Sequence, residues 1–124
     1  MKTIKMKQLD EKDEEIADAL ISLGMSKNVA MTLAYMQNTN SATSLELERS
    51  ARLRQPEVSI VMKQLKERDW INERNEKTSG KGRPNKIYSF KVGFKDIIAQ
   101  LEKQQRKAVD ETQAKIEWLK GREI

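Results

Sequence analysis

The stretch "ELERSARLRQPEVSIVMKQLKERDWINE" (Glu46–Glu73) decides how the chain folds. Ser44 is placed to cap a short helix over "LELERSA", with Leu45, Leu47 and Ala51 facing inward. "RLRQ" forms a turn, and "PEVSIVMKQLKERD" starts a second helix with Pro56 in its first turn, where the missing N–H costs nothing. At about 100° per residue, Val58, Val61, Met62 and Leu65 gather on one side of this helix. Pro56, Ile60, Lys63 and Glu67 lie opposite, flanked by Ser59 and Gln64. Trp70 and Ile71 then open an extended segment that runs to about Glu76.

Downstream, "KTSGKGRPN" (Lys77–Asn85) is a turn and "KIYSFKV" (Lys86–Val92) returns as a strand. Ile87, Ser89 and Lys91 alternate with Tyr88, Phe90 and Val92. After Gly93 a final helix spans Phe94 to Lys120, about 40 Å at ~1.5 Å per residue. Upstream, "DEEIADALISLG" reads as an amphipathic helix with Ile16, Leu20 and Leu23 on one stripe and Gly24 just past its end. The acids from Asp10 to Glu15 read as a solvated helix start favoured by the macrodipole, not as a metal site. "MSKNVAMTLAYMQN" follows, capped by Ser26, with Val29, Leu33 and Met36 on one side, and "NTNSAT" makes a loop. Met25, Met31, Met36 and Met62 sit at core-like spacings. Helices, then a helix, a tight turn and a helix, then a hairpin, is the order of a winged helix-turn-helix. The expected class is α+β, mainly α, with a winged helix-turn-helix domain over residues 1–92 and a long C-terminal helix over 93–124.

Charge points to a partner. Residues 1–48 carry 5 basic and 8 acidic side chains, residues 49–91 carry 12 and 5, and residues 92–124 carry 7 and 6. The middle third, at +7, therefore exceeds the net +5 of the whole chain, and such asymmetry suits a polyanion. Cysteine and histidine are both absent. The usual zinc sites and the usual Ser-, Cys- or His-based catalytic sites cannot be assembled, so neither a metal nor a cofactor is expected, and no enzyme. With no apolar run near ~18 residues and no secretory leader pattern, a cytoplasmic protein with no membrane partner is expected.

Two segments carry the chemistry such a partner needs. On the outward face of the second helix, Gln64 suits bidentate pairing with adenine, Lys63 reaches a guanine edge or phosphate, and Ile60 suits a thymine methyl. Ser59 lies beside them, and Arg54, Gln55 and Pro56 stand at the helix start, where a recognition helix meets DNA. At the hairpin tip Lys77, Lys81, Arg83 and Lys86 crowd together. Gly80 and Gly82 allow close backbone approach there, and Pro84 fixes the chain after Arg83. A stiffened Arg beside Gly suits a narrow minor groove. Arg49, Arg52, Lys66 and Arg74 are candidates for phosphate contacts.

"LGMSKNVAMTLAYM" (Leu23–Met36) resembles the opening helices of archaeal TrmB-type regulators, and Glu46–Glu73 resembles the helix-turn-helix of the wider MarR, ArsR and TrmB winged-helix group. "GKGRPNKIYSF" (Gly80–Phe90) is similar to the basic wing of many archaeal members. The match covers roughly residues 16–92. It implies a transcriptional regulator whose recognition helix carries Gln55, Ser59, Ile60, Lys63 and Gln64 and whose wing carries Lys81, Arg83 and Lys86. Arg52 stands where the family often has Gly in the turn, Arg54 where a Ser or Thr cap is usual, and Asp69 where Gly often ends the helix. Larger TrmB proteins carry a sugar-binding domain after the wing. Only about thirty residues follow here, so sugar sensing is not carried over.

Along the last helix the sequence places Phe94, Ile98, Leu101, Gln105, Ala108, Thr112, Ile116 and Leu119 on one seam, with Ile116 one residue late for a heptad. A two-fold dimer through Ile98, Leu101, Ala108, Ile116 and Leu119 would cover it and set two recognition helices about 34 Å apart on a palindromic site. The leading expectation is a sequence-specific, double-stranded-DNA-binding regulator acting as a homodimer. Its recognition helix, about 55–68, would enter the major groove and its wing, 77–86, would lie in or along the minor groove. A protein-interaction winged-helix module of a larger assembly is the alternative, with double-stranded RNA binding third. The sequence names no small-molecule effector.

Overall fold

In the computed structural model, which describes residues 9–75 and 86–122, the chain forms two compact units, Met1–Val92 and Gly93–Ile124. The first contains α1 (Glu11–Ser22), α2 (Lys27–Thr39), β1 (Ser41–Thr43), α3 (Ser44–Ser50), α4 (Gln55–Glu67), β2 (Ile71–Asn75) and β3 (Lys86–Phe90). The second is α5 (Phe94–Lys120). The three strands form one antiparallel sheet in the order β1-β3-β2. With α3, the turn and α4 ahead of the β2–β3 hairpin, the first unit is a winged helix-turn-helix. The tip of the hairpin, and with it Lys77, Lys81 and Arg83, lies outside the described residues.

The core is built around α2. Its residues Val29 to Met36 are all buried, not only the stripe of Val29, Leu33 and Met36 that helical spacing predicts. Small Ala30, Ala34 and Thr32 let neighbours approach on the remaining sides, and Thr32 satisfies its hydroxyl on the Asn28 carbonyl at 2.8 Å. Against this core stand Ala17 and Leu20 of α1, Leu47 of α3, and Val58, Val61, Met62 and Leu65 of α4, all buried. The four α4 residues are those the sequence placed inward. Trp70, Ile71 and Tyr88 close the sheet side.

Several local expectations are corrected. In α1 the buried stripe is Asp13, Ala17 and Leu20, while Leu23 is exposed and Ile16 half-buried. Asp13, expected in a solvated acidic start, is only 1% exposed. It is held because it does two jobs: its carboxylate accepts from the Asp10 backbone N–H at 3.2 Å, closing a capping box, and from Asn38 Nδ2 at 2.7 Å. Thr43, not Ser44, caps α3, its Oγ1 accepting from Glu46 N–H at 3.1 Å while Glu46 Oε1 accepts from Thr43 N–H at 3.2 Å. Leu45 is half-buried. Within the expected loop "NTNSAT", Ser41–Thr43 pairs with β3, Ala42 opposite Tyr88, making the sheet three-stranded.

Three non-glycine residues hold left-handed backbone: Asn40, Arg52 and Asp69, with φ of 62°, 60° and 63°. Arg52 and Asp69 are the two positions where the resembling family often has Gly. At Asp69 the cost of that conformation is offset by a closed helix end, with Trp70 N–H donating to the Leu65 carbonyl at 3.1 Å. Lys91 Nζ lies 2.6 Å from Asp69 Oδ1 across the same corner.

In the second unit α5 runs over 27 residues, its Asp96 Oδ2 accepting from Gly93 N–H at 3.2 Å. Ile97 and Leu101 are buried. Ile98, Val109, Ile116, Trp118 and Leu119 are exposed. Among the described residues, no helix is long and apolar enough to cross a membrane.

Candidate nucleic-acid interface

α4 sorts its residues by face. With Val58, Val61, Met62 and Leu65 buried, the geometry of the helix forces Gln55, Pro56, Ser59, Ile60, Lys63 and Gln64 outward, and all six are exposed. Ile60 is 59% exposed, an aliphatic side chain set among polar neighbours. Among the described residues, the side chains of Gln55, Ser59, Lys63 and Gln64 form no hydrogen bond and no ion pair. This face therefore keeps its donors and acceptors available to a partner.

The start of α4 is anchored from two directions. Arg54, the N-cap residue, offers no side-chain acceptor; instead Glu57 Oε1 accepts from the Arg54 backbone N–H at 2.9 Å. The other oxygen, Oε2, accepts from Asn28 Nδ2 of α2 at 2.9 Å. The Arg54 N–H bond, and after it the Asn28 amide, hold the Glu57 carboxyl below its usual range. Sequence reading did not single out Asn28 or Glu57. The signal for Glu57 is its place three residues beyond the cap, whereas the Asn28 partnership spans 29 positions and leaves no local trace.

The cations proposed for phosphates have different circumstances. Lys66 Nζ lies 3.0 Å from Glu73 Oε1, and Lys86 Nζ lies 4.0 Å from Glu73 Oε2, so one carboxylate on β2 ties the end of α4 to the stem of the hairpin. Arg52 pairs with Glu14 at 3.6 Å, both well exposed. Such exposed pairs contribute about 0–1 kcal/mol and exchange readily for another anion. Arg49 on α3 and Arg74 on β2 are exposed. The structure thus gathers the base-reading candidates on one helix face and joins Lys66 and Lys86 through Glu73. Lys77, Lys81 and Arg83 lie outside what it describes. Among the described residues there is no group of three metal-ligating side chains.

Two tyrosines brace this arrangement. Tyr35 on α2 donates to Glu46 Oε2 at 2.9 Å, and Tyr88 faces Glu73 across the sheet. Burial, reinforced by Glu46, pushes Tyr35 up to about 12; burial and the Glu73 charge push Tyr88 up to about 12.

No protein-family model matches the sequence, and no curated protein sequence matches it. Among solved structures, the chain is similar to the crystal structure of MepR, a transcription regulator of the Staphylococcus aureus multidrug efflux pump MepA. The alignment covers 89% of this chain and 87% of that one, at 16% sequence identity and a TM-score of 0.47.

Proposed function

We propose that this chain is a cytoplasmic, sequence-specific DNA-binding transcription regulator, not an enzyme, that acts as a homodimer. The observation that carries the reading is the outward face of α4, whose polar side chains are exposed and unpaired among the described residues around an exposed Ile60. In a major groove Gln55, Lys63 and Gln64 meet base edges and Ile60 meets a thymine methyl. The basic middle of the chain supplies affinity through phosphates, from Arg49, Arg52, Lys66, Arg74 and the wing. The resemblance of the helix-turn-helix and wing to MarR- and TrmB-type regulators supports the same reading.

The dimer rests on α5. Ile98, Ile116 and Leu119 leave an apolar line along it, joined by Val109, which the seam expected from the sequence did not include. Leu101, on that expected seam, is 6% exposed, so the surface offered to a second chain is carried by the other positions. Two-fold pairing through α5 covers this line and presents two copies of α4 to a palindromic site.

Fluorescence anisotropy on a random duplex and on a selected duplex, each over a salt series, tests the proposal. The expected result is salt-dependent binding to both and a preference for the selected site that Lys63→Ala/Gln64→Ala removes. Absence of binding at low salt by a folded wild-type chain sinks it and moves the search to a protein partner for the basic segment.

A further inference from the structure

Beside the base-reading face lies a notch of about 520 Å³ whose wall comes from three places in the sequence: Lys27 and Asn28 of α2, Arg52 in the turn, and Arg54 with Glu57 at the start of α4. Met31 lines it too. Three cations and one carboxylate thus line it. That carboxylate is already engaged by two hydrogen bonds, Oε1 with the Arg54 N–H and Oε2 with the Asn28 amide, and the Arg54 charge acts on it only as a lesser influence. Among the described residues Lys27 has no ion pair, and Arg52 has only the exposed Glu14 contact.

The placement of Lys27 has a cost within the protein. α1, α3, α4 and α5 each carry an acid in their first turn, as the helix dipole favours, but α2 has none and begins on Lys27. A cation there opposes the helix dipole. Among the described residues, no hydrogen bond or ion pair of the Lys27 side chain offsets this; an anion held in the notch would.

We propose that this notch is a phosphate-binding site, in which Lys27, Arg52 and Arg54 converge on the oxygens of one phosphate group. Resting on the DNA-binding reading above, the phosphate belongs to the backbone of the duplex that α4 reads. Arg52 and Arg54 hold it with planar guanidinium groups and Lys27 as a point charge. The left-handed backbone of Arg52 then has a use: it turns the chain between α3 and α4 while its side chain reaches the notch. One contact at the edge of α4 fixes the helix's register on the duplex without selecting any base.

The test compares wild type, Lys27→Gln and Lys27→Arg. For duplex binding, the slope of log affinity against log salt is measured for each. Lys27→Gln is expected to lower its magnitude by about 0.9, the share of one phosphate, equally on selected and random duplexes, and Lys27→Arg to restore it. In a parallel arm, melting temperature is measured in inorganic phosphate against chloride at equal ionic strength. A phosphate-dependent rise in wild type that Lys27→Gln removes, with an unchanged duplex slope, assigns the notch to a free phosphate group instead of the backbone. An unchanged slope together with no phosphate-dependent rise overturns the site. If wild type binds no duplex at all, the regulator reading fails on its own, and the phosphate melts still decide the notch.

Discussion

α2 and α4 are both 13-residue helices, joined at their starts by the Asn28–Glu57 bond, yet they spend their surfaces in opposite ways. α2 buries eight consecutive residues and keeps almost no face for anything outside the fold. α4 buries four, engages Glu57 and Lys66 with neighbouring elements, and leaves its outward face of Gln55, Ser59, Ile60, Lys63 and Gln64 exposed. The sequence of α2 is thus dictated by packing, where a lost methylene is felt at once. The outward Gln, Ser, Ile and Lys of α4 are exposed and pack against nothing in the fold, and in the reading proposed above they serve a partner.

The largest expected effect tests that division directly. Leu33→Ala in α2 removes a fully buried side chain and should cost about 2–5 kcal/mol in urea unfolding. Ile60→Ala, the same kind of truncation on the bare face of α4, should stay within about 0.5 kcal/mol. Comparable losses at both positions would mean that Ile60 packs against something and that the bare face is not bare.

Gln64→Ala sharpens the other half of the comparison. Its side chain has no partner among the described residues, so the melting temperature should not move. Discrimination against a wrong base pair should fall by about 1–3 kcal/mol when anisotropy titrations on matched and mismatched duplexes are compared. A uniform loss on all duplexes would instead make Gln64 a backbone contact.

The same contrast explains what could be read from the sequence. α4 was legible because its two faces differ: the period of Val58, Val61, Met62 and Leu65 places the helix, its inward side and its outward candidates at once. α5 was legible over its whole span for a simpler reason, since Gly93 starts it and no breaker interrupts it before Gly121. α2 was found as a helix, but its all-round burial was not, because Ala and Thr give a weak periodic signal and only tertiary neighbours cover them. β1 exists because β3 offers it hydrogen bonds from more than forty residues away; three residues, Ser41–Thr43, carry no pattern of their own. Asp13 was misjudged for the same reason, its partner Asn38 lying 25 residues on. The notch escaped reading entirely, since Lys27 and Arg54 meet only once α2 and α4 pack.

Alkaline stability tests the buried side of the comparison with a smaller effect. Tyr35 and Tyr88 ionise near 10 when unfolded but only at about 12 in the fold, so above pH 10 the unfolded chain binds fewer protons than the native one. Their contribution is complete below pH 10 and is lost as pH rises to about 12. In urea titrations across that window Tyr35→Phe should flatten the decline, and an equally steep decline in the variant would show that Tyr35 does not carry it.

The smallest effect concerns the bond that links the two helices. Glu57 has its carboxyl held below the usual range, first by the Arg54 N–H and then by the Asn28 amide. A lowered native pKa means that the unfolded chain takes up the proton first as pH falls. The stabilisation is therefore present above the ordinary glutamate value of about 4.3 and disappears as pH drops through the lower native one. Glu57→Gln should melt slightly below wild type at pH 7, and the two should converge in acid. Asn28→Ala should show the same convergence in reduced form, because it removes only the second of the two bonds. A gap of constant size down to the acid limit would place the role of Glu57 in its shape and hydrogen-bond geometry, not in its charge.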